Sequence, residues 1–170
     1  MEEVVDPTTE SGSGFEPVTV RQFTVFLENR VGRLTLLVRA LEENTRIVGL
    51  AIEESADSAL ARVICSNTDA GRELLRSHGF SFGEVEVLIV ALPQRREHPL
   101  LAICGVLLSA EINIHNAYPL LISPVGPAMV IYCDDSILAA QLLLRKGYRI
   151  LGQSDLKDIA DAGGENGNGN

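Results

Sequence analysis

Three histidines and three cysteines are the side chains of this 170-residue chain best suited to metal binding or nucleophilic catalysis. Either chemistry needs partners within bonding reach, which a sequence shows as paired Cys or His at short spacing, or as a nucleophile beside a base. His78, His98 and His115 have no second His or Cys at ligand spacing, and Cys65, Cys104 and Cys133 are odd in number, far apart and set among apolar residues. The cysteines read as reduced packing residues, and no catalytic set, metal site or cofactor motif is expected. Gly-x-Gly runs in both tails lack the strand and helix that a nucleotide cradle requires. His115 with Asn116 and Tyr118 is the richest polar group and reads as a solvent-facing patch on a strand. Arg95 and Arg96, beside Glu97 and His98, read as a solvated loop.

One stretch has the make-up of a small-molecule site. Phe23 to Glu28 has strand character, Asn29, Arg30, Val31 and Gly32 form a polar loop with a late glycine, and Arg33-Leu34 opens a helical pattern. Glycine at a strand-to-helix turn lets the backbone approach a ligand closely, and the free N–H groups of a helix start attract a carboxylate. Asn29 or Asn113 can accept hydrogen bonds from an ammonium group. A pocket of this kind suits a free amino acid. The same residues also fit a plainer role, in which Gly32 permits a tight turn and Asn29 caps the helix.

The elements that hold this loop emerge from an internal repeat. Displaced by 66 residues, Val20 to Glu53 lies over Glu86 to Pro119 without a gap. Leu34, Leu37, Val38 and Leu41 then fall on Leu100, Ile103, Cys104 and Leu107, the i, i+3, i+4, i+7 stripe of a helix packed on a sheet. With two residues inserted, Arg62 to Asn67 matches Val130 to Asp135, and Leu74 to Phe80 matches Leu142 to Tyr148. Strand signals occupy Gln22 to Leu27, Val48 to Glu53 and Ala59 to Cys65. Asn67-Thr68-Asp69 and Asp134-Asp135-Ser136 read as helix starts, and Gly79 and Gly147 as the residues past helix ends.

Each repeat is therefore strand, helix, strand, strand, helix, strand. That order predicts an α+β protein of two ferredoxin-like βαββαβ modules, with antiparallel sheets carrying helices on one face. The expected boundaries are a disordered tail over 1–18, modules over 19–85 and 86–153, and a mostly disordered tail over 154–170. Glu84 to Leu92 reads as one extended segment that closes the first module and opens the second. Unpaired sheet edges favour joining the modules, or two chains, into a larger sheet, so a homodimer is expected.

The Asn29-x-x-Gly32-x-Leu34 loop, the repeat and the strand order together resemble the ACT domain, an amino-acid-sensing module attached to many biosynthetic enzymes. Ala110-Glu111-Ile112-Asn113-Ile114 is similar to that family's helix exit and second strand. The resemblance covers about residues 20 to 153. It implies a non-catalytic regulator that takes a small ligand, an amino acid, and modulates an enzyme of amino-acid metabolism. It also implies a ligand between modules, with Asn29, Val31, Gly32 and Arg33 facing Ile112, Asn113 and Ile114. In the reciprocal site His98 and Pro99 replace Gly32 and Arg33, and Ile47 replaces Asn113, so one ligand per chain is expected. Length and layout are also similar to the regulatory small subunit of acetolactate synthase, although Asn44-Thr45-Arg46-Ile47-Val48 departs from that family's Gly-Phe-Asn-Ile helix exit. A module that keeps the fold without the ligand is the structural alternative.

Composition narrows the partners. A net charge of −9, from acids spread along the chain, disfavours phosphate-rich surfaces, so nucleic acid is not an expected partner. The longest apolar run, Val85 to Leu92, is interrupted by Glu86 and is far shorter than the roughly 20 residues of a membrane span. Glu2 and Glu3 follow Met1 where a secretory signal would be basic and then apolar, which makes the cytoplasm the expected location.

Overall fold

The computed structural model describes residues 18–55 and 57–162. The expectations for 1–17 and 163–170 lie outside the described residues. The chain runs β1 (Val20–Glu28), α1 (Arg33–Leu41), β2 (Ile47–Glu54), β3 (Ser58–Cys65), α2 (Thr68–Ser77), β4 (Ser81–Ala91), α3 (Pro99–Ser109), β5 (Ile114–Pro119), β6 (Ala128–Cys133), α4 (Ser136–Arg145), β7 (Ile150–Leu151) and α5 (Gln153–Ala162). The two βαββαβ modules read from the sequence are present. Asn67 caps α2 by accepting from the Ala70 N–H at 3.1 Å, and Asp135 caps α4 through the Leu138 N–H at 2.9 Å. Gly79 and Gly147, just past those helices, take φ of 72° and 80°.

The strands form a seven-stranded sheet in the order β2-β3-β1-β4-β6-β5, with β7 also paired to β4. All of the strand pairs are antiparallel. β4 is the hinge between modules. Its first half pairs with β1, from Ser81 opposite Phe26 to Val87 opposite Val20. Its second half pairs with β6 at Leu88 to Ala91 and with β7 at Ile89 and Val90. A single strand thus closes one module and opens the next, and the sheets join through this shared strand rather than edge to edge.

Strand alternation separates the cores. Phe23, Val25 and Leu27 of β1 pack beneath α1 and α2 with Leu37, Leu41 and Leu75. Leu88 and Val90 of β4 pack beneath α3 and α4 with Ile103, Leu107 and Leu143. The intervening residues Val87 and Ile89 face a third, central core, where Val48 and Ile64 of the first module meet Tyr118, Leu120 and Val130 of the second. The modules are therefore fused through buried apolar surface, and the Leu121 N–H adds a 2.8 Å bond to the Val48 carbonyl.

Two details depart from the sequence reading. In α3, Ile103 and Leu107 are buried as expected, whereas Leu100 is 45% exposed, because this helix is apolar all round and its pattern does not define one inner face. Residues 154–162, assigned to the mostly disordered tail, belong instead to helix α5. Leu156 and Ile159, three apart, enter the central core, and Asp155 accepts the Gly152 N–H at 2.7 Å to start the helix. Gln153 Nε2 donates to the carbonyls of Cys65 and Ser66, at 3.3 and 3.0 Å, so α5 ties the end of the second module to the first.

Candidate functional site

The Asn29 to Gly32 loop leaves β1 at Glu28, and the Arg30 N–H turns back to the Glu28 carbonyl at 2.7 Å. Gly32 occupies the N-cap of α1 at φ 89°, a left-handed conformation that a Cβ would strain although no atom lies within 4 Å of it. No side chain caps α1, so Asn29 does not serve as its cap. Asn29 and Gly32 are exposed and Val31 is wholly solvent-facing. The loop therefore presents a glycine, an uncapped helix start and a bare apolar side chain to the outside.

Arg33, the first residue of α1, is half-buried. Its guanidinium lies 5.9 Å from the centre of the Phe80 ring, a cation–π contact, and its Nε is enclosed without a hydrogen-bond partner. Beside it runs a cleft of about 390 Å³, bordered by Phe26, Glu28, Asp57 and Phe80. Phe26 is 55% exposed there. One cation, two carboxylates and two aromatic rings thus border a space within the size range of small-molecule pockets. The sequence marked Arg33 but not Phe26, Asp57 or Phe80, which tertiary folding brings from the end of β1, the start of β3 and the exit of α2.

Ile112, Asn113 and Ile114 sit at the exit of α3. Ile112 is buried in the second-module core, Asn113 is exposed while its carbonyl accepts the Asp134 N–H at 3.2 Å, and Ile114 opens β5 opposite Cys133. With Leu101, Cys104 and Leu108 they border an apolar groove of about 370 Å³. This groove is lined by the second module alone and the Arg33 cleft by the first alone. The β4–β6 register, continued two residues beyond its last pair, sets Cys133 opposite Glu86, while the first loop lies past Ser81, so the two sets are separated by roughly 17 Å of strand. Within one chain they do not share a pocket. At the reciprocal position His98 begins α3 at φ −134° with Pro99 as the first helical residue, and Ile47 is buried in the first-module core.

Of the remaining polar residues, His115 and Arg96 find structural partners, whereas Asn116 Oδ1 is buried without one. His115 is exposed, pairs with Asp134 and leans on the Tyr132 ring at 5.2 Å. Tyr118, expected beside it at the solvent, is buried, because three residues along the strand it faces the other way, into the central core that the first module covers. Arg96 donates to the Tyr148 hydroxyl at 2.7 Å and lies over that ring. Cys65 and Cys133 are buried, and burial pushes the Cys65 thiol up to about 12 and raises that of Cys133. Among the described residues no three His, Cys, Asp or Glu side chains gather as a metal cluster, and no helix is long and apolar enough to cross a membrane.

Comparison with known proteins agrees with this architecture. A family model described as an ACT domain pair matches residues 18–160. A crystallised protein of Bacteroides thetaiotaomicron is 27% identical, with 83% of this chain and 97% of that chain covered and a TM-score of 0.74. The regulatory subunit of aspartate kinase from Thermus thermophilus is 11% identical over 76% of this chain and 93% of that one, at a TM-score of 0.51. Aspartokinase alpha and beta subunits are 16% identical over 76% and 93%, at 0.50. These two likenesses are of fold. No curated protein matches the sequence.

Proposed function

Because the chain belongs to the family of ACT domain pairs, we propose that it is a non-catalytic, cytoplasmic regulator that binds a free amino acid and modulates an enzyme of amino-acid metabolism. The observation that carries this reading is Arg33, whose enclosed and unpartnered Nε stands between the open start of α1 and an acidic, aromatic cleft. An amino acid has the matching parts. Its carboxylate suits Arg33 and the first N–H groups of α1, reached past Gly32. Its ammonium suits Glu28, Asp57 or the Asn29 side chain, and an apolar side chain suits Phe26, Phe80 and Val31. The resemblance of the fold to the regulatory subunit of aspartate kinase supports an enzyme of amino-acid metabolism as the partner.

In this reading the chain is a homodimer, and Ile112, Asn113 and Ile114 of a second copy complete the site, since their own chain holds them away from Arg33. Binding favours one pairing of the subunits over another, with a coupling of roughly 1–3 kcal/mol typical of such systems. A thermal-shift screen of the common amino acids tests the reading. One of them, at 100 times its dissociation constant, is expected to stabilise the fold by about 2.7 kcal/mol. Gly32→Val is expected to remove that shift and leave the fold intact. No shift from any amino acid would make the chain a purely structural interaction module.

A further inference from the structure

We propose that the acidic N-terminal segment of this chain, residues 1–17, docks on a basic surface at one end of the second module, across the start of α3. The surface is assembled from three stretches of sequence. Arg95 and Arg96 precede α3, Arg145 and Lys146 close α4, and Arg149 leads into β7, and all five are exposed. They share one end of the module because the Ala91 N–H, at the close of β4, donates to the Arg149 carbonyl at 2.9 Å, and Arg96 lies over the Tyr148 ring. Asp155 engages Arg149 at 3.3 Å. Among the described residues, Arg95, Arg145 and Lys146 have no carboxylate within ion-pairing distance. The fold does not require such a surface. At the matching positions of the first module stand Asn29, Arg30, Ser77, His78 and Ser81, one arginine in place of five cations. Like charge gathered in one repeat and missing from the other, in a chain of net charge −9, fits an anionic partner.

The chain itself holds that partner. Residues 1–17 contain Glu2, Glu3, Asp6, Glu10 and Glu16 and neither Lys nor Arg, whereas 163–170 contain one acid, Glu165. The segment also enters the fold beside the surface. Val20 stands opposite Val87, so antiparallel pairing carries the chain before it toward the Ala91 end of β4. There Val18 packs against Gly152, where a Cβ would lie 3.1 Å from its Cγ1. From Gly152 back to Arg149 is three residues of strand, about 10 Å, a distance that residues 1–17 can span several times over. So short a tether sets the local concentration of carboxylates on the order of millimolar, which favours this segment over a separate acidic peptide. The docked segment covers His98 and Pro99, the counterparts of Gly32 and Arg33. The second loop is then occupied by the chain's own acids while the Arg33 cleft of the first module stays open.

This docking does not rest on amino-acid binding, since the Arg33 cleft belongs to the other module, and it is tested without ligand. The chain has two lysines, Lys146 in the basic surface and Lys157 on α5. A water-soluble carbodiimide joins a carboxylate to a lysine amine as an amide and carries the lost oxygen away as its urea. In dilute, low-salt solution the full chain is expected to give an intramolecular link between residues 1–17 and Lys146, read by peptide mass mapping. At roughly 1 M salt, where the screening length is about 3 Å, the yield is expected to fall several-fold. Arg95→Glu with Arg145→Glu, which leaves Lys146 in place, is expected to lower the yield as much without changing the circular dichroism spectrum. Hydrogen exchange gives an independent reading. Amides from Gln94 to Leu101 are expected to exchange several-fold faster once Glu2→Gln, Glu3→Gln, Asp6→Asn, Glu10→Gln and Glu16→Gln are combined. A link to Lys157 instead of Lys146, a Lys146 link that forms only between two copies, a yield indifferent to salt and to the arginine reversals, or unaltered exchange would overturn the proposal.

Discussion

The Tyr118 hydroxyl on β5 donates a 2.7 Å hydrogen bond to Oε1 of Gln22 on β1, and both side chains are buried. It is a polar contact inside the central core and it links the two modules. A buried polar group left without its partner costs about 1–3 kcal/mol, whereas removing both partners costs much less. Tyr118→Phe is therefore expected to destabilise the protein by that amount, and far less when Gln22→Leu is already present. Urea unfolding of the two single variants and the double variant reads the difference, and strictly additive losses would show that the bond does not couple the modules.

Gly71 sits where α2 crosses β3 most closely. A Cβ there would lie 2.9 Å from Cys65 Sγ and 3.1 Å from Phe23 Cε2, both inside the first-module core. Alanine improves helix propensity by about 1 kcal/mol, but overpacking a rigid core costs roughly 1–3 kcal/mol. Gly71→Ala is expected to lower stability on balance, and Cys65→Ala in the same chain to recover part of the loss. A stabilised single variant would contradict the close approach.

How far the sequence disclosed this arrangement depends on the range of the signal. The repeat was legible because each module must bury the same faces, so Leu37, Leu41 and Val63 recur as Ile103, Leu107 and Ile131. Caps and turns were legible because Asn67, Asp135, Gly79 and Gly147 act on their immediate neighbours. Helix α5 was not, since the partners of its inward-facing Leu156 and Ile159 lie in both modules. Tyr118 was misplaced for a related reason, because the surface that covers it belongs to residues about a hundred positions away. The Gly32 loop stood out by composition. Its cleft did not, because Asp57 and Phe80 reach it only through strand pairing and the turn after α2.

Acid should weaken a specific contact between α2 and β4. Arg72 Nε and Nη2 donate to Glu84 at 2.6 and 3.0 Å, and this hydrogen-bonded pairing holds the Glu84 carboxyl below its ordinary range. A carboxyl depressed in the folded state contributes stability that is present above its unfolded pKa, about 4.3, and is lost as pH falls through the lowered folded value. Glu84→Gln is thus expected to be less stable than wild type at neutral pH, with the gap closing on acidification. Parallel pH-stability curves for the two proteins would refute this assignment.

Thiol chemistry should distinguish the cysteines. Burial opposes the thiolate form at Cys65 and Cys133, while Cys104 is half-buried on α3. In dilute native protein a disulfide reagent is expected to titrate one thiol per chain, and Cys104→Ser to abolish the rapid phase. Two or three fast thiols would mean that the buried pair is reachable.

The most direct test of the account is calorimetric titration of the full chain with the amino acid that gives the largest thermal shift. A single site per chain is expected, lost in Arg33→Ala and unchanged in His98→Ala, because the second loop lacks the glycine and arginine of the first. Two equivalent sites per chain, or binding indifferent to Arg33, would contradict it.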